Sequence, residues 1–254
     1  MSFLKNPNLP KAKVKMVMIG ERYVPRLKGA LNKLGVEILS VPESAYLDKT
    51  VSSHADMTVF HSGGPDLFCP PSIKETLVKR LDGKKMNIYS GIKEPHGKYP
   101  LDIAYNGAVI NDIFIYLEGG IDPEIWRYMK VSGKKMIPVK QGYCKCSVAV
   151  IDENSAITSD VGIYNKLTEN DMDVLLISNG NIRLEGLNYG FIGGCCGKIS
   201  DKDIAFTGII NSHPDKDKIL NFINDKGMTP HFLTDDAIFD VGSILPIVEE
   251  EEKE

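Results

Sequence analysis

No apolar run in this chain approaches the ~18 residues that a membrane-spanning helix needs. Its opening, MSFLKNPNLPKAKVK, is polar and lacks the apolar stretch of a secretory leader. Basic charge is also short: 30 Lys and Arg stand against 34 Asp and Glu, a formal net charge of −4. Nucleic acid and anionic membranes attract a basic surface, so neither is an expected partner. Cysteine is sparse, with five residues in 254. Together these absences predict a cytoplasmic protein whose thiols stay reduced. What remains is ordinary globular composition, 43% hydrophobic and 25% charged, in a chain long enough to bury a core without staples. A single domain over residues 1–248 is expected, with EEEEKE at 249–254 as a solvated, disordered acidic tail.

What the chain does have is internal similarity. The stretches LNKLGVEILSV, LDGKKMNIYSG, VSGKKMIPVKQG, TENDMDVLLISNG and INDKGMTPHFLTDD each place a Gly, Asn or Asp stop before an apolar strand. Those strands begin at Val36, Met86, Met136, Met172 and Met228, with gaps of 50, 50, 36 and 56 residues. Before each lies a helical pattern: RYVPRLKGALNKLG, PSIKETLVKRL, DPEIWRYMKV, DVGIYNKLTEN and HPDKDKILNFIND. Apolar residues there recur at i, i+3 or i+4, and Asp, Ser or Pro opens several of them. Hairpin signals precede four of the helices, in DMTVFHSGGPDLFC, IAYNGAVINDIFIYL, CSVAVIDENSAIT and CGKISDKDIAFTG. The helix–strand pair at residues 22–41 lacks a hairpin, while AIFDVGSILPIV near the C-terminus is a strand with no helix after it. The expected unit is ββαβ, five times over, with the two chain ends completing one unit.

That organisation resembles the pentein superfamily, the fold of guanidino-group-modifying enzymes such as arginine deiminases, dimethylargininases, amidinotransferases and agmatine deiminases. The segments GYCKCSVAVIDENSAITSD and NIRLEGLNYGFIGGCCGKI resemble a bacterial family of unknown function assigned to that fold. The resemblance covers nearly the whole chain. It implies an α/β fold, a five-bladed α/β propeller with pseudo-five-fold symmetry, whose inner strands line a central channel. It also implies a cysteine nucleophile, a histidine in a His-x-Asp motif and an acidic residue, often in Leu-Glu-Gly-Gly. A thiolate attacks the guanidinium carbon, a carboxylate holds the cation, and the histidine moves protons. No cofactor is implied.

The motifs sit in unexpected units. The family's cysteine belongs on the closing strand, which here reads FDVGSILPI with Pro246 near that place. The family's His-x-Asp opens the fourth unit, which here opens with Cys144-Lys145-Cys146. A His-x-Asp does occur at His54 and Asp56, opening the second unit; Leu184-Glu185-Gly186 leads into the fifth, and LEGG recurs at 117–120. Near-symmetry would let such displaced residues meet in one channel. The expected catalytic set is therefore Cys146 or Cys195 as nucleophile, His54 as acid/base, and Asp56 with Glu185 as cation anchors, beside Gly193 and Gly194. Glycines within a strand mark close approach of a ligand or of another backbone, and either account serves for this pair.

Each candidate has a plainer account. Buried cysteines act as small hydrophobes. His54 and Asp56, two apart on a strand, would share a face, or else belong to a surface turn. Glu185 could equally pair with Arg183. His61 and His96 are expected in solvated loops, His213 at a helix start, and Cys69 without chemistry. A metal is the further alternative: Cys144, Cys146, Cys195 and His54 could bind zinc, whereas Cys195 and Cys196 on one strand would point to opposite faces and could not share an ion.

Three functions stay open on these residues. The first is C–N hydrolysis of a small guanidino or amidino compound, in a protein that also allows a homo-oligomer. The second is a non-catalytic protein holding a small ligand or a thiophilic metal. The third, a protein-interaction role like that of the superfamily's ribosome-binding branch, is disfavoured by the low positive charge.

Overall fold

The computed structural model describes residues 1–251, and these form five small mixed sheets. Strand β1 (Ser2–Phe3) and strand β2 (Val14–Gly20) precede helix α1 (Val24–Lys33) and strand β3 (Glu37–Val41). Next come β4 (Phe60–Gly63), β5 (Asp66–Cys69), α2 (Pro71–Arg80) and β6 (Asn87–Ser90). The third unit is β7 (Ala108–Ile110), β8 (Ile113–Leu117), α3 (Pro123–Val131) and β9 (Lys135–Val139). One helical turn, α4 (Cys144–Ser147), leads into β10 (Val148–Val150), β11 (Ser155–Thr158), α5 (Val161–Thr168) and β12 (Asp173–Leu176). The last unit is β13 (Cys196–Lys198), β14 (Asp203–Phe206), α6 (Lys216–Asp225) and β15 (Thr229–Phe232), followed by β16 (Leu245–Glu249).

Pairing is the same in each sheet. The first strand runs antiparallel to the second, and the third returns parallel to it after the helix. In the remaining sheet β16 takes the place of the first strand, antiparallel to β2, and β1 adds an outer edge. The chain's two ends thus complete one sheet, as the spare C-terminal strand implied.

Each crossover helix buries one i, i+4 pair: Leu27 and Leu31, Ile73 and Leu77, Ile125 and Met129, Ile163 and Leu167, Ile219 and Ile223. Burying one such residue is worth ~1.5–3 kcal/mol, so one pair fixes which face of a short helix turns inward. The helices stop where predicted, at Gly133 (φ +78°) after α3 and at Asp171 (φ +61°) after α5. Left-handed backbone of this kind ends a helix.

The apolar clusters join the units in turn. One cluster links the β2 sheet to the β5 sheet, and the next links that sheet to β7 and β8. Two more carry the contact onward to β10 and then to β13 and β14. A fifth returns from β14 to β2 through Val17, Ile19, Ala205 and Ile244. The cycle of contacts closes.

Asp122 ties one unit to the next. It is fully buried, and its carboxylate accepts from Glu124 N at 2.9 Å at the start of α3, and from Ile92 N and Lys93 N at 2.8 and 2.7 Å. Asp122→Ala strands three backbone donors and is expected to cost about 3 kcal/mol, a cap plus charged hydrogen bonds. Urea unfolding measures it. A loss below about 1 kcal/mol would mean that water replaces the carboxylate.

The structure corrects several expectations. Cys144 and Cys146 lie in the turn α4 and not on a strand; Cys195 ends a 3-10 turn (Gly193–Cys195), and His54 caps another (Ala55–Met57). The thiols themselves favour the turn, since Cys144 and Cys195 donate to the carbonyls of Gln141 and Ile192, three residues back, at 3.0 Å each. A strand cannot make that local bond. Cys195 and Cys196 do not diverge either, for both thiols donate to the Ile192 carbonyl. His61 is buried on β4, its Nε2 2.8 Å from the Gly64 carbonyl. Glu249 belongs to the fold and not to a tail: it is buried on β16 and accepts from Lys11 N and Ala12 N at 2.7 and 2.9 Å. Of the rest of the predicted tail, Glu250 N donates to the Lys13 carbonyl at 2.9 Å and Glu251 pairs with the N-terminal ammonium at 2.9 Å, while 252–254 lie outside the described residues.

Candidate functional site

One short segment from each unit, just before its first strand, reaches a shared buried cluster. They are His54–Met57 before β4, the Asn106 loop before β7, α4 before β10, Gly193–Cys195 before β13, and Asp240–Ser243 before β16. The polar groups thus sit one turn before the inner strands on which the sequence places them.

Asn106 organises one side of the cluster. Its Oδ1 accepts from Lys145 N (2.8 Å) and Cys146 N (3.3 Å), and its Nδ2 donates to the Asp56 carbonyl (3.0 Å) and to Cys146 Sγ (3.1 Å). The Cys146 thiol donates to Asp56 Oδ2 at 3.2 Å, and Ser243 Oγ donates to the same oxygen at 2.5 Å. Lys145 Nζ donates to Ser243 Oγ at 3.0 Å. Asp240 accepts from Phe191 N (2.8 Å) and Gly242 N (2.9 Å), and its Oδ1 lies 3.7 Å from His54 Nδ1. That last gap is an electrostatic contact, too long for a hydrogen bond. His54 Nε2 and Asp56 Oδ1 are among the buried side-chain atoms that have no partner.

Burial dominates the protonation of these groups. It holds His54 down at about 4, against the pull of Asp56, so the imidazole is neutral at pH 7. It lifts Asp240 to about 6 and raises Asp56 as well. Burial, then the charge of Asp56, pushes the Cys146 thiol well above its ordinary value. Two carboxyls therefore share a buried site with one basic side chain, Lys145, which draws both of them down. The cluster has room for one more positive charge.

A cavity of about 300 Å³ opens beside it, lined by Cys146, His54 and Asp240 with Tyr143, Phe191, Leu184 and Leu187 among its walls. That is the lower end of small-ligand pockets. On the other side of Asp56 lies a space of about 20 Å³, lined also by Lys145, His61 and Pro246, room for about one water. Pro246 thus does not touch the larger cavity. The C-terminal segment contributes Asp240 to it, and Ser243 to the network behind it.

Of the residues expected from sequence, Cys146, His54 and Asp56 meet here, with Cys146 and His54 on the larger cavity and Asp56 behind the thiol. Cys195 does not line that cavity; it packs in the apolar cluster between the last two units. Glu185 is exposed, between the cavity residues Leu184 and Leu187. Gly193 and Gly194 do not line the ligand cavity; Gly193 admits neighbouring backbone and Gly194 admits the Asp240 carboxylate. A Cβ on Gly194 would sit 2.1 Å from Asp240 Oδ1, and one on Gly193 would sit 2.3 Å from the Val148 carbonyl. The zinc set fails too. Cys144 and Cys195 spend their thiols on nearby carbonyls, and no group of three or more His, Cys, Asp or Glu among the described residues could hold a metal. Asn106, Lys145, Asp240 and Ser243 were missed. A lysine inside the otherwise apolar YCKCSVAVI was the available signal for one of them.

Several solved structures share this architecture. The chain is similar to the inosamine-phosphate amidinotransferase of Streptomyces griseus at 10% identity and a TM-score of 0.58, covering 100% of this chain and 98% of that one. It is similar to an amidinotransferase of the saxitoxin biosynthetic pathway from Microseira wollei (10% identity, TM-score 0.55, 94% and 97% covered). It is also similar to DDAH from Pseudomonas aeruginosa, solved as a mutant with citrulline (11%, 0.54, 93% and 100%). At such identity the likeness shows the fold, and the fold is that of the penteins. No curated protein matches the chain. Residues 18–245 match the model of DUF6873, a family of unknown function, and the chain belongs to that family.

Proposed function

We propose that this protein hydrolyses a C–N bond of a small guanidino or amidino cation, with Cys146 as nucleophile, in a five-bladed α/β propeller centred on the buried cluster. The observation that carries this reading is the convergence of Cys146, His54 and Asp240 on one cavity of about 300 Å³, with Asp56 accepting the thiol's hydrogen bond. A planar cation against Asp240 supplies the missing positive charge. It lowers the cost of ionising Cys146 beside it.

The chemistry balances without a further reactant. The Cys146 proton passes to Asp56 Oδ2, sulfur bonds to the amidino carbon, and the carbon–nitrogen bond breaks as the leaving nitrogen takes that proton. His54, neutral and with Nε2 free, then accepts a proton from water. Water's oxygen bonds to carbon, the carbon–sulfur bond breaks, His54 passes its proton to sulfur, and the hydroxyl proton of the product goes to the released amine. A urea-type product leaves, and the released amine carries the positive charge away as an ammonium.

A second reading, a non-catalytic binding protein, draws on the burial that raises Cys146 well above its ordinary value and keeps the thiol neutral. Thiol labelling at pH 7 separates the two. Chloroacetamidine, a cation, is expected to alkylate Cys146 at least about tenfold faster than neutral chloroacetamide, the gain of one pKa unit of extra thiolate. Peptide mapping should leave Cys144, Cys195 and Cys196 unlabelled. Equal, slow labelling by both reagents would favour the binding protein and remove the hydrolase.

A further inference from the structure

Granting a guanidino or amidino cation at Asp240, we propose that its group is carried on a short apolar or aromatic chain without a carboxylate, so that the substrate is an alkyl- or arylalkylguanidine and not a guanidino amino acid.

Beyond Cys146, His54 and Asp240, the cavity walls are Val51, Met57, Leu184, Leu187, Phe191 and the ring of Tyr143, with Asn188 and Tyr189 as neutral polar neighbours. The Tyr143 hydroxyl is already committed to Asp102 Oδ2 at 2.6 Å. No lysine or arginine lines this space. Arg22, whose charge reaches His54, is held by both oxygens of Glu43 at 3.0 and 2.9 Å and donates to the Lys49 carbonyl. A carboxylate on the substrate would therefore lose water and find no cation, while Asp240 and the exposed Glu185 repel it. Burying an unpaired charge is costly, whereas an alkyl or phenyl chain gains from the same walls.

Size sets the length of the chain. About 300 Å³ is at the lower end of small-ligand pockets, which suits a guanidinium on a short chain.

Calorimetric titration of the intact protein with guanidinium, the methyl- to butylguanidine series, benzylguanidine, 4-guanidinobutyrate and arginine tests this. Affinity is expected to rise up to about fourfold per methylene, the equivalent of ~0.8 kcal/mol. Arginine and 4-guanidinobutyrate should bind at least about tenfold more weakly than butylguanidine. Leu187 is a half-exposed wall residue (52%) that can change without disturbing the core, and Leu187→Arg should narrow the gap for the two carboxylates. Arginine binding as tightly as butylguanidine, or affinity indifferent to chain length, would overturn the inference and leave the guanidino reading standing. Butylurea binding as well as butylguanidine, or no guanidine binding at all, would remove the guanidino reading and this inference with it.

Discussion

Cys146→Ala is expected to abolish turnover of a guanidino substrate, by a factor of about 10⁶ where a nucleophile is lost outright, while Cys195→Ala keeps kcat within about threefold. The contrast rests on position. Both thiols are buried and both have raised pKa values, so burial does not separate them. Cys146 borders the cavity with His54 and Asp240, and its proton already leans on a carboxylate. Cys195 donates to the Ile192 carbonyl and packs among Ile157, Ile204 and Phe206. Its truncation should cost stability, about 1 kcal/mol for a small buried side chain, and no chemistry. The alanine at 146 should still fold, because Ser243 continues to donate to Asp56. Steady-state release of the ureido product and thermal unfolding of both variants decide the matter. If Cys146→Ala stays within tenfold of the parent, Cys146 is not the nucleophile.

The framework was legible because it rests on local signals. Strands expected at Val36, Met86, Met136, Met172 and Met228 begin at Glu37, Asn87, Lys135, Asp173 and Thr229, each within one residue. The stop signals and the buried i, i+4 pairs are sequence-local features. The closure of β16 onto β2 followed from counting a strand too many at one end and a hairpin too few at the other. The site was less legible for two physical reasons. Strand periodicity was applied to residues that lie in turns, so the inferred shared face of His54 and Asp56 became a division of labour: His54 borders the larger cavity and Asp56 the small space beyond it. Equivalent segments of the five units also supply different residue types, an aspartate here and an asparagine or a lysine there. Only the fold shows that Asp240 and His54, far apart in sequence, face each other.

Lys145→Met is expected to cost about 3–5 kcal/mol at pH 8, the range for breaking a buried ionic network from one side. Methionine keeps the length and apolar stem of the side chain, so the loss reports charge more than volume. Removing Lys145 leaves Asp56 and Asp240 buried together with no basic group bonded into the cluster. The sign of the pH dependence follows from their shifts. A carboxyl whose folded pKa is raised above its unfolded value takes up protons on folding, so it weakens the fold as pH rises from the lower value through the upper one. For Asp240 that window runs from its ordinary 3.8 to about 6, and loss of Lys145 extends it upward for both carboxyls. The variant's deficit should therefore grow from pH 5 to pH 8. His54 acts in the other direction, its depressed pKa of about 4 costing stability as pH falls below 6.5. That cost is common to parent and variant and largely cancels in their difference. Urea midpoints at pH 5, 6.5 and 8 give the test, and a deficit that does not vary with pH would mean that Lys145 contributes packing alone. If the deficit does vary, added butylguanidinium should recover part of it at pH 8. A cation bound at Asp240 then restores the charge that the lysine supplied, linking the stability of the centre to the ligand proposed for it.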